Sequence, residues 1–215
     1  MSALQMTCGQ TTCGPSPDLS SAPVLETDRL ILREPRLDDA ASVAALANNR
    51  KIAEMTALIP HPYSIEDAAR WLTSLPAETG HWNFAIVERE SGKFVGTCGY
   101  GKRHDLGPEV GYWIGEPFWG QGYATEAIRA VVDHLFSVTA LDEIAAGCRV
   151  TNVASRRVLE KCGFQWTGVA LFRVRALGAS VPADQFRLER RNWASLRAWG
   201  QSSLPKVARV TSTRP

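Results

Sequence analysis

The chain has 215 residues, room for one sizeable domain. Hydrophobic residues make up 45% and charged residues 21%, which excludes a chain disordered throughout. Lys and Arg number 24 against 22 Asp and Glu, and a net charge of +2 makes no general case for nucleic-acid binding.

Residues 1–22 are rich in Ser, Thr, Gly and Pro, carry one charge at Asp18, and read as a mobile leader. No Lys or Arg precedes Arg29, so the basic start of a secretory signal is missing. No run approaches the roughly 18 apolar residues of a membrane span; the expectation is a soluble cytoplasmic protein. Arg29–Glu34 reads as a strand closed by Pro35. Leu37–Asn49 reads as a helix, with Asp38 and Asp39 at its positive end and Val43, Leu46 and Ala47 on its buried stripe. Ser64–Leu72 is a second helix, its Ser64 and Asp67 spaced as a capping box. Asn83–Arg89 and Lys93–Tyr100 are strands around Ser91-Gly92, a hairpin signal. Glu109–Gly115 is a strand, Gln121–Ser137 a long helix and Glu143–Val150 a strand. Asn152–Cys162 is a helix stopped by Gly163, and Phe164–Ala176 and Gln185–Arg191 are the last two strands. Hairpins followed by strand–helix–strand units predict an α+β domain over 23–195. It has one mixed sheet of about seven strands, with about four helices on both faces. Residues 196–215 carry Arg197, Lys206, Arg209 and Arg214 without an acid and read as a basic tail.

The five cysteines (Cys8, Cys13, Cys98, Cys148, Cys162) form no C-x-x-C pair, and the four histidines are scattered. Neither a disulfide framework nor a metal site is expected. Cys148 and Cys162 lie in apolar runs without a neighbouring histidine and read as core thiols rather than nucleophiles.

The most informative segment is Trp119-Gly120-Gln121-Gly122-Tyr123-Ala124, leading from a strand into the long helix. Its glycines allow close backbone approach, and the first N–H groups and dipole of the helix favour an anion such as a phosphate or diphosphate. No Lys follows, which rules out a Walker loop. Thr125 occupies the third glycine position of a dinucleotide fingerprint, although Asp142 falls where a ribose-binding acid would stand. A plain glycine turn that starts a helix is the remaining alternative. In the later helix Asn152 is a good N-cap, and Ser155 shares the apolar face of Val158, Leu159 and Cys162. Its hydroxyl either bonds its own helix or faces a cleft.

Taken together, EVGYWI, WGQGYATEA and NVASRRVLEKCGF, preceded by LETDRLILREPRLDDA, resemble the GNAT superfamily of acetyl-CoA-dependent N-acetyltransferases. The similarity is greatest to the branch of ribosomal-protein N-terminal acetyltransferases and covers roughly residues 24–193. Trp119 stands where the family loop commonly has Gln or Arg. The resemblance implies that backbone amides of Gln121, Gly122, Tyr123, Ala124 and Thr125 hold the coenzyme A diphosphate. It implies that the pantetheine arm lies along the edge of Tyr112–Gly115, that Asn152 bonds it, and that Ser155 sits near the thioester sulfur. An N–H near Trp113 or Ile114 would stabilise the oxyanion. Glu109, at the head of its strand, matches a glutamate often found there and is the candidate base. The alternatives are an exposed strand-end carboxylate, or His104 or Asp105 as substitutes. The attack on acetyl-CoA would be direct, without an acyl-enzyme and without a metal.

The acceptor cleft is expected around Met55–Tyr63 and Leu177–Asp184, with Trp71, Trp82 and Trp113 as candidate lining. The implied partner is an amine acceptor, first a protein N-terminus. A small-molecule amine such as an antibiotic or polyamine, and a non-catalytic acyl-CoA-binding module, are the rivals. A nicotinamide-binding oxidoreductase is a third class. No nucleic-acid or membrane partner is expected, and a homodimer is left open.

Overall fold

Strand-forming runs fill the chain from Leu25 to Glu189 and join into one eight-stranded sheet in the computed structural model, which describes residues 23–75, 81–103 and 107–200. The strands are β1 (Leu25–Glu26), β2 (Leu30–Arg33), β3 (Trp82–Glu88), β4 (Phe94–Arg103), β5 (Gly107–Ile114), β6 (Glu143–Arg149), β7 (Gln165–Val174) and β8 (Ala179–Glu189). Their order across the sheet is β1-β2-β3-β4-β5-β6-β8-β7. Every neighbour is antiparallel except β5 and β6, which run parallel. The parallel register covers only Glu109↔Ala145 and Val110↔Ala146. Beyond Val110, β5 continues to Ile114 beside β4 alone, so the sheet opens into a notch between its two halves.

Helices α1 (Ala40–Ala47) and α3 (Ile65–Ser74) cover one face, with the short α2 (Arg50–Ala53) after α1. The long α4 (Tyr123–Val138) and α5 (Val153–Lys161) cover the other face, and α6 (Arg190–Gly200) follows β8. Two apolar layers result. On the α1/α3 side Val43, Ala47, Ala68 and Leu72 pack on Ala85, Val87 and Phe94. On the other side α4 buries Ile128, Val131, Leu135 and Phe136 against Phe84, Ile86, Ile144 and Leu188. Each such large side chain contributes about 1.5–3 kcal/mol. The mixed α+β architecture of the sequence reading is present, with eight strands and six α-helices among the described residues.

Local chemistry explains where elements differ from expectation. The helix expected over Leu37–Asn49 resolves into a 3-10 turn (Leu37–Asp39) and α1, which ends as Asn48 leaves helical geometry (φ −71°, ψ 55°); the unexpected α2 follows, capped by the Asn49 side chain accepting from the Lys51 N–H. Asp39 does not cap α1 with its side chain: its buried carboxylate takes both arms of Arg33, at 2.7 and 2.8 Å, and reaches back to the Arg36 N–H at the head of the 3-10 turn at 2.7 Å. Ser64 and Asp67 do form the reciprocal capping box, at 3.0 and 3.2 Å. The last strand begins at Ala179 rather than Gln185, since β7 and β8 form one long hairpin turned at Gly178. Arg190 then starts α6, which runs on past residue 195. There Leu196 docks so closely on Gly163 that a Cβ at that glycine would lie 2.3 Å from it. The expected leader and most of the basic tail lie outside the described residues, as do His104 and Asp105. Among the described residues, no helix is long and apolar enough to cross a membrane.

Candidate active site

The notch is built by strand alternation. The Gly115 N–H donates to the Val95 carbonyl at 2.8 Å. The antiparallel ladder therefore turns the main-chain groups of Trp113 and Gly111 toward β4, and those of Tyr112 and Ile114 to the opposite edge. With β6 already diverging, that edge faces the notch. Of the two N–H groups named from sequence, that of Ile114 points into it and that of Trp113 toward β4. The Ile114 carbonyl accepts from the Trp119 indole at 2.6 Å, which ties the glycine loop to the strand end. A cleft of about 1740 Å³ passes through this region, lined by residues of β5, the glycine loop, α5 and β6.

At one end of the notch stands the N-terminus of α4. Gly122 occupies the N-cap position with φ +84°, Gly120 has φ +76°, and no side chain caps the helix. The first helical bond is Glu126 N–H to Gly122 O, so the N–H groups of Tyr123, Ala124 and Thr125 lack a helical acceptor. Gln121 bonds Pro117 O through its side chain. Arg29, which the sequence reading passed over, fixes this corner: it donates to Gln121 O at 2.9 Å, pairs with Glu126, and stacks on the Tyr123 ring. Burial pushes the Glu126 carboxyl up. Hydrogen bonds from the Thr27 hydroxyl and from Arg29 outweigh it and hold the carboxyl below the usual range.

At the other end, Asn152 caps α5 by accepting from the Ser155 N–H at 3.1 Å. Ser155 lines the cleft. Its hydroxyl lies 2.8 Å from the Tyr112 phenol, which reaches across from β5. Burial drives the phenol well above its usual ionisation range, a push the Ser155 hydrogen bond opposes. Cys148 is buried beside them, and its thiol is likewise raised by burial against a Ser155 hydrogen bond. Cys162 is pushed up to about 12 by burial. Both thiols are core groups in their burial.

Glu109, Gly111 and Trp113 face the α1/α3 side. Glu109 is half-buried, its Oε1 3.5 Å from where a Cβ on Gly147 would sit. A Cβ on Gly111 would meet nothing within 4 Å, so this glycine floors an open part of the cleft. His81, missed from sequence, lies against Gly101, the β4 residue opposite Glu109; a Cβ there would come within 2.3 Å of its ring. Met55, Ile59 and Tyr63 line the cleft as expected, together with Trp71 and Trp113. Trp82 instead turns into the core against Tyr100 and His134. Of the expected second wall at Leu177–Asp184, Ala183 and Asp184 of β8 line the cleft; the stretch before them forms the far end of the β7–β8 hairpin. Arg156, beside the site, reaches the buried Asp184 at 3.4 Å. Among the described residues no group of His, Cys, Asp or Glu could hold a metal ion.

Comparison with known proteins gives a consistent picture. The acetyltransferase (GNAT) domain family matches residues 29–165. The uncharacterized N-acetyltransferase YoaA of Bacillus subtilis is 35% identical over 153 residues, 68% of this chain and 85% of its own. The ribosomal-protein-serine acetyltransferase of Escherichia coli is 36% identical over 89 residues, 40% of this chain and 49% of its own. In fold the chain is similar to RimL, the ribosomal L7/L12 alpha-N-protein acetyltransferase solved with coenzyme A, with a TM-score of 0.68 at 17% identity, covering 78% of this chain and 98% of that one.

Proposed function

The chain belongs to the acetyltransferase (GNAT) family and is an acetyl-CoA-dependent N-acetyltransferase, and on that premise we propose that it acetylates a protein N-terminal α-amine by direct transfer. The observation that carries this reading is the notch itself. An unpaired strand edge at Tyr112 and Ile114 runs between an uncapped, glycine-turned helix N-terminus and the hydroxyl of Ser155.

Residue roles follow from what each group can offer. The amides from Gln121 to Thr125 take the diphosphate, whose charge suits both the free N–H groups and the helix dipole. The pantetheine amides pair with the Tyr112 and Ile114 main chain as an added strand would. The Asn152 side chain, whose oxygen already caps α5, has its NH2 left for the arm. The arm takes the Ile114 N–H and the Tyr112 carbonyl, and the thioester carbonyl then falls near the N–H of Tyr112, the residue whose side chain meets Ser155, a donor fixed before the reaction begins. The amine approaches from the α1/α3 side across Gly111. An α-amine has an ordinary pKa of about 7.7–8.0, so Glu109, acting through water, needs to remove only one modestly acidic proton. The C–N bond forms, the C–S bond breaks, and the sulfur leaves beside Ser155.

A protein N-terminus is favoured by the open, glycine-floored approach over Gly111 and by the similarity to a ribosomal-protein-serine acetyltransferase. The test is mass spectrometry of N-terminal peptides, polyamines and aminoglycosides incubated with the protein and acetyl-CoA. A 42 Da gain (roughly the mass of one acetyl group replacing a proton) confined to peptide α-amines is expected. Acetylation of only the small amines would overturn the acceptor assignment.

A further inference from the structure

Ser155 is unusual among the helical hydroxyls of this chain. Ser137, Thr73, Ser74 and Ser195 each donate to a carbonyl of their own helix, the common fate of such groups. The Ser155 hydroxyl instead meets the Tyr112 phenol at 2.8 Å, a side chain 43 positions away on the other half of the sheet. The same phenolic O–H also donates to the Ser155 carbonyl at 3.2 Å, so its one proton is forked between the two Ser155 oxygens, the hydroxyl being the nearer. Tyr112 stands on the stretch of β5 beyond the last residue paired with β6, and Ser155 in the first turn of α5. This contact therefore bridges the notch.

We propose that Tyr112 is a positioning residue: by donating its phenolic proton to Ser155 Oγ, it turns the Ser155 proton toward the departing sulfur of the thioester. The inference rests on the acetyl-transfer reading above. Geometry alone leaves either oxygen able to donate, and the negative charge that grows on sulfur decides the direction. A thiolate is an acceptor only, so the Ser155 O–H turns to it, and the lone pairs so exposed on Oγ take the phenolic O–H. No proton leaves Tyr112 at any stage. The phenol is buried and held well above its usual range, so tyrosinate does not form near neutral pH, and Tyr112 acts as a hydrogen-bond donor of fixed sense. The thiolate, of ordinary pKa about 8.5, is stabilised by the Ser155 hydrogen bond while the C–S bond breaks. It acquires its proton from solvent, and the proton released by the amine goes to Glu109 and water, so the transfer balances.

The test compares wild type, Tyr112→Phe, Ser155→Ala and the double variant in single-turnover acetyl transfer, with KM for acetyl-CoA and coenzyme A affinity measured alongside. Tyr112→Phe is expected to lower the transfer rate about tenfold, the upper end of what losing one neutral hydrogen bond does. Coenzyme A affinity and acetyl-CoA KM should stay within twofold. The double variant should be no slower than Ser155→Ala alone, because Tyr112 acts through Ser155. Incorporating 3-fluorotyrosine at position 112 keeps the ring and the donor and should restore the rate, and it stands in if Tyr112→Phe does not fold. Losses that multiply, a wild-type rate in Tyr112→Phe, or failure of fluorotyrosine to restore it would each overturn the proposal. Wild-type protein that releases no thiol with any amine would instead overturn the acetyl-transfer reading on which it rests.

Discussion

Replacing Gly122 by Ala separates the two jobs assigned to that glycine. Its φ of +84° lies in the left-handed region, where an L side chain costs roughly 1–2 kcal/mol. The added Cβ would meet only Arg29 Nη2, at 3.4 Å, the end of a flexible side chain, so steric cost adds little. For a domain of this size that strain lowers the melting temperature by roughly 2–8 °C. If the backbone rotates to relieve it, the N–H groups of Tyr123 and Ala124 swing off the diphosphate. Each charge-assisted hydrogen bond lost is worth about 1.5–3 kcal/mol, or roughly ten- to hundredfold in affinity. Gly92→Ala is the control: it has φ +67° in the β3–β4 turn, with nothing within 4 Å of its Cβ, so it carries the same strain away from the cleft. Titration calorimetry with coenzyme A and thermal unfolding should show both variants melting lower and only Gly122→Ala binding more weakly. Equal coenzyme affinity in the two would refute the reasoning.

Three further substitutions probe the remaining parts. Glu109→Gln should lower kcat/KM about a hundredfold at pH 7, with part of the loss recovered toward pH 9 as more amine becomes neutral; a flat, wild-type pH–rate profile would remove Glu109 from the reaction. Gly111→Val fills the open floor on the α1/α3 side, where its Cβ has nothing within 4 Å, and should raise acceptor KM about tenfold while coenzyme A affinity holds; the opposite split would mean that the acceptor enters elsewhere. Burial pushes the Asp39 carboxyl up, but the bonds from Arg33 and the Arg36 N–H hold it below its usual value. Its contribution is complete above about pH 3.9, the unfolded value, and disappears as pH falls through the lower folded value. Asp39→Asn should therefore cost about 2 kcal/mol at pH 7, and urea midpoints should converge with wild type near pH 2; a constant gap would contradict the linkage.

What the sequence could disclose depended on distance along the chain. The α4 and α5 termini were readable because Gly122, Asn152 and Gly163 act on their own turns, and the Ser64–Asp67 cap for the same reason. The pairing of Tyr112 with Ser155, and the seating of His81 on Gly101 of β4, were not. The first is created by α5 packing on the sheet and the second by the pairing of β3 with β4; both join residues tens of positions apart, and neither leaves a local pattern. Trp82 was misread because a tryptophan at a strand start has no periodic partner to say which face it takes; β3 turns it toward α4. The last helix was missed because Arg190 and Arg191 look like the polar end of a strand. The Arg190 guanidinium in fact reaches the carbonyls of Phe136, Thr139 and Leu141 at the C-terminal end of α4.

The most direct measurement is a crystal structure of the protein with acetyl-CoA bound. The diphosphate should lie on the amides of residues 121–125, the arm beside the main chain of Tyr112 and Ile114, and the sulfur within reach of Ser155. Density for the coenzyme outside the notch, with the head of α4 bare, would contradict the account.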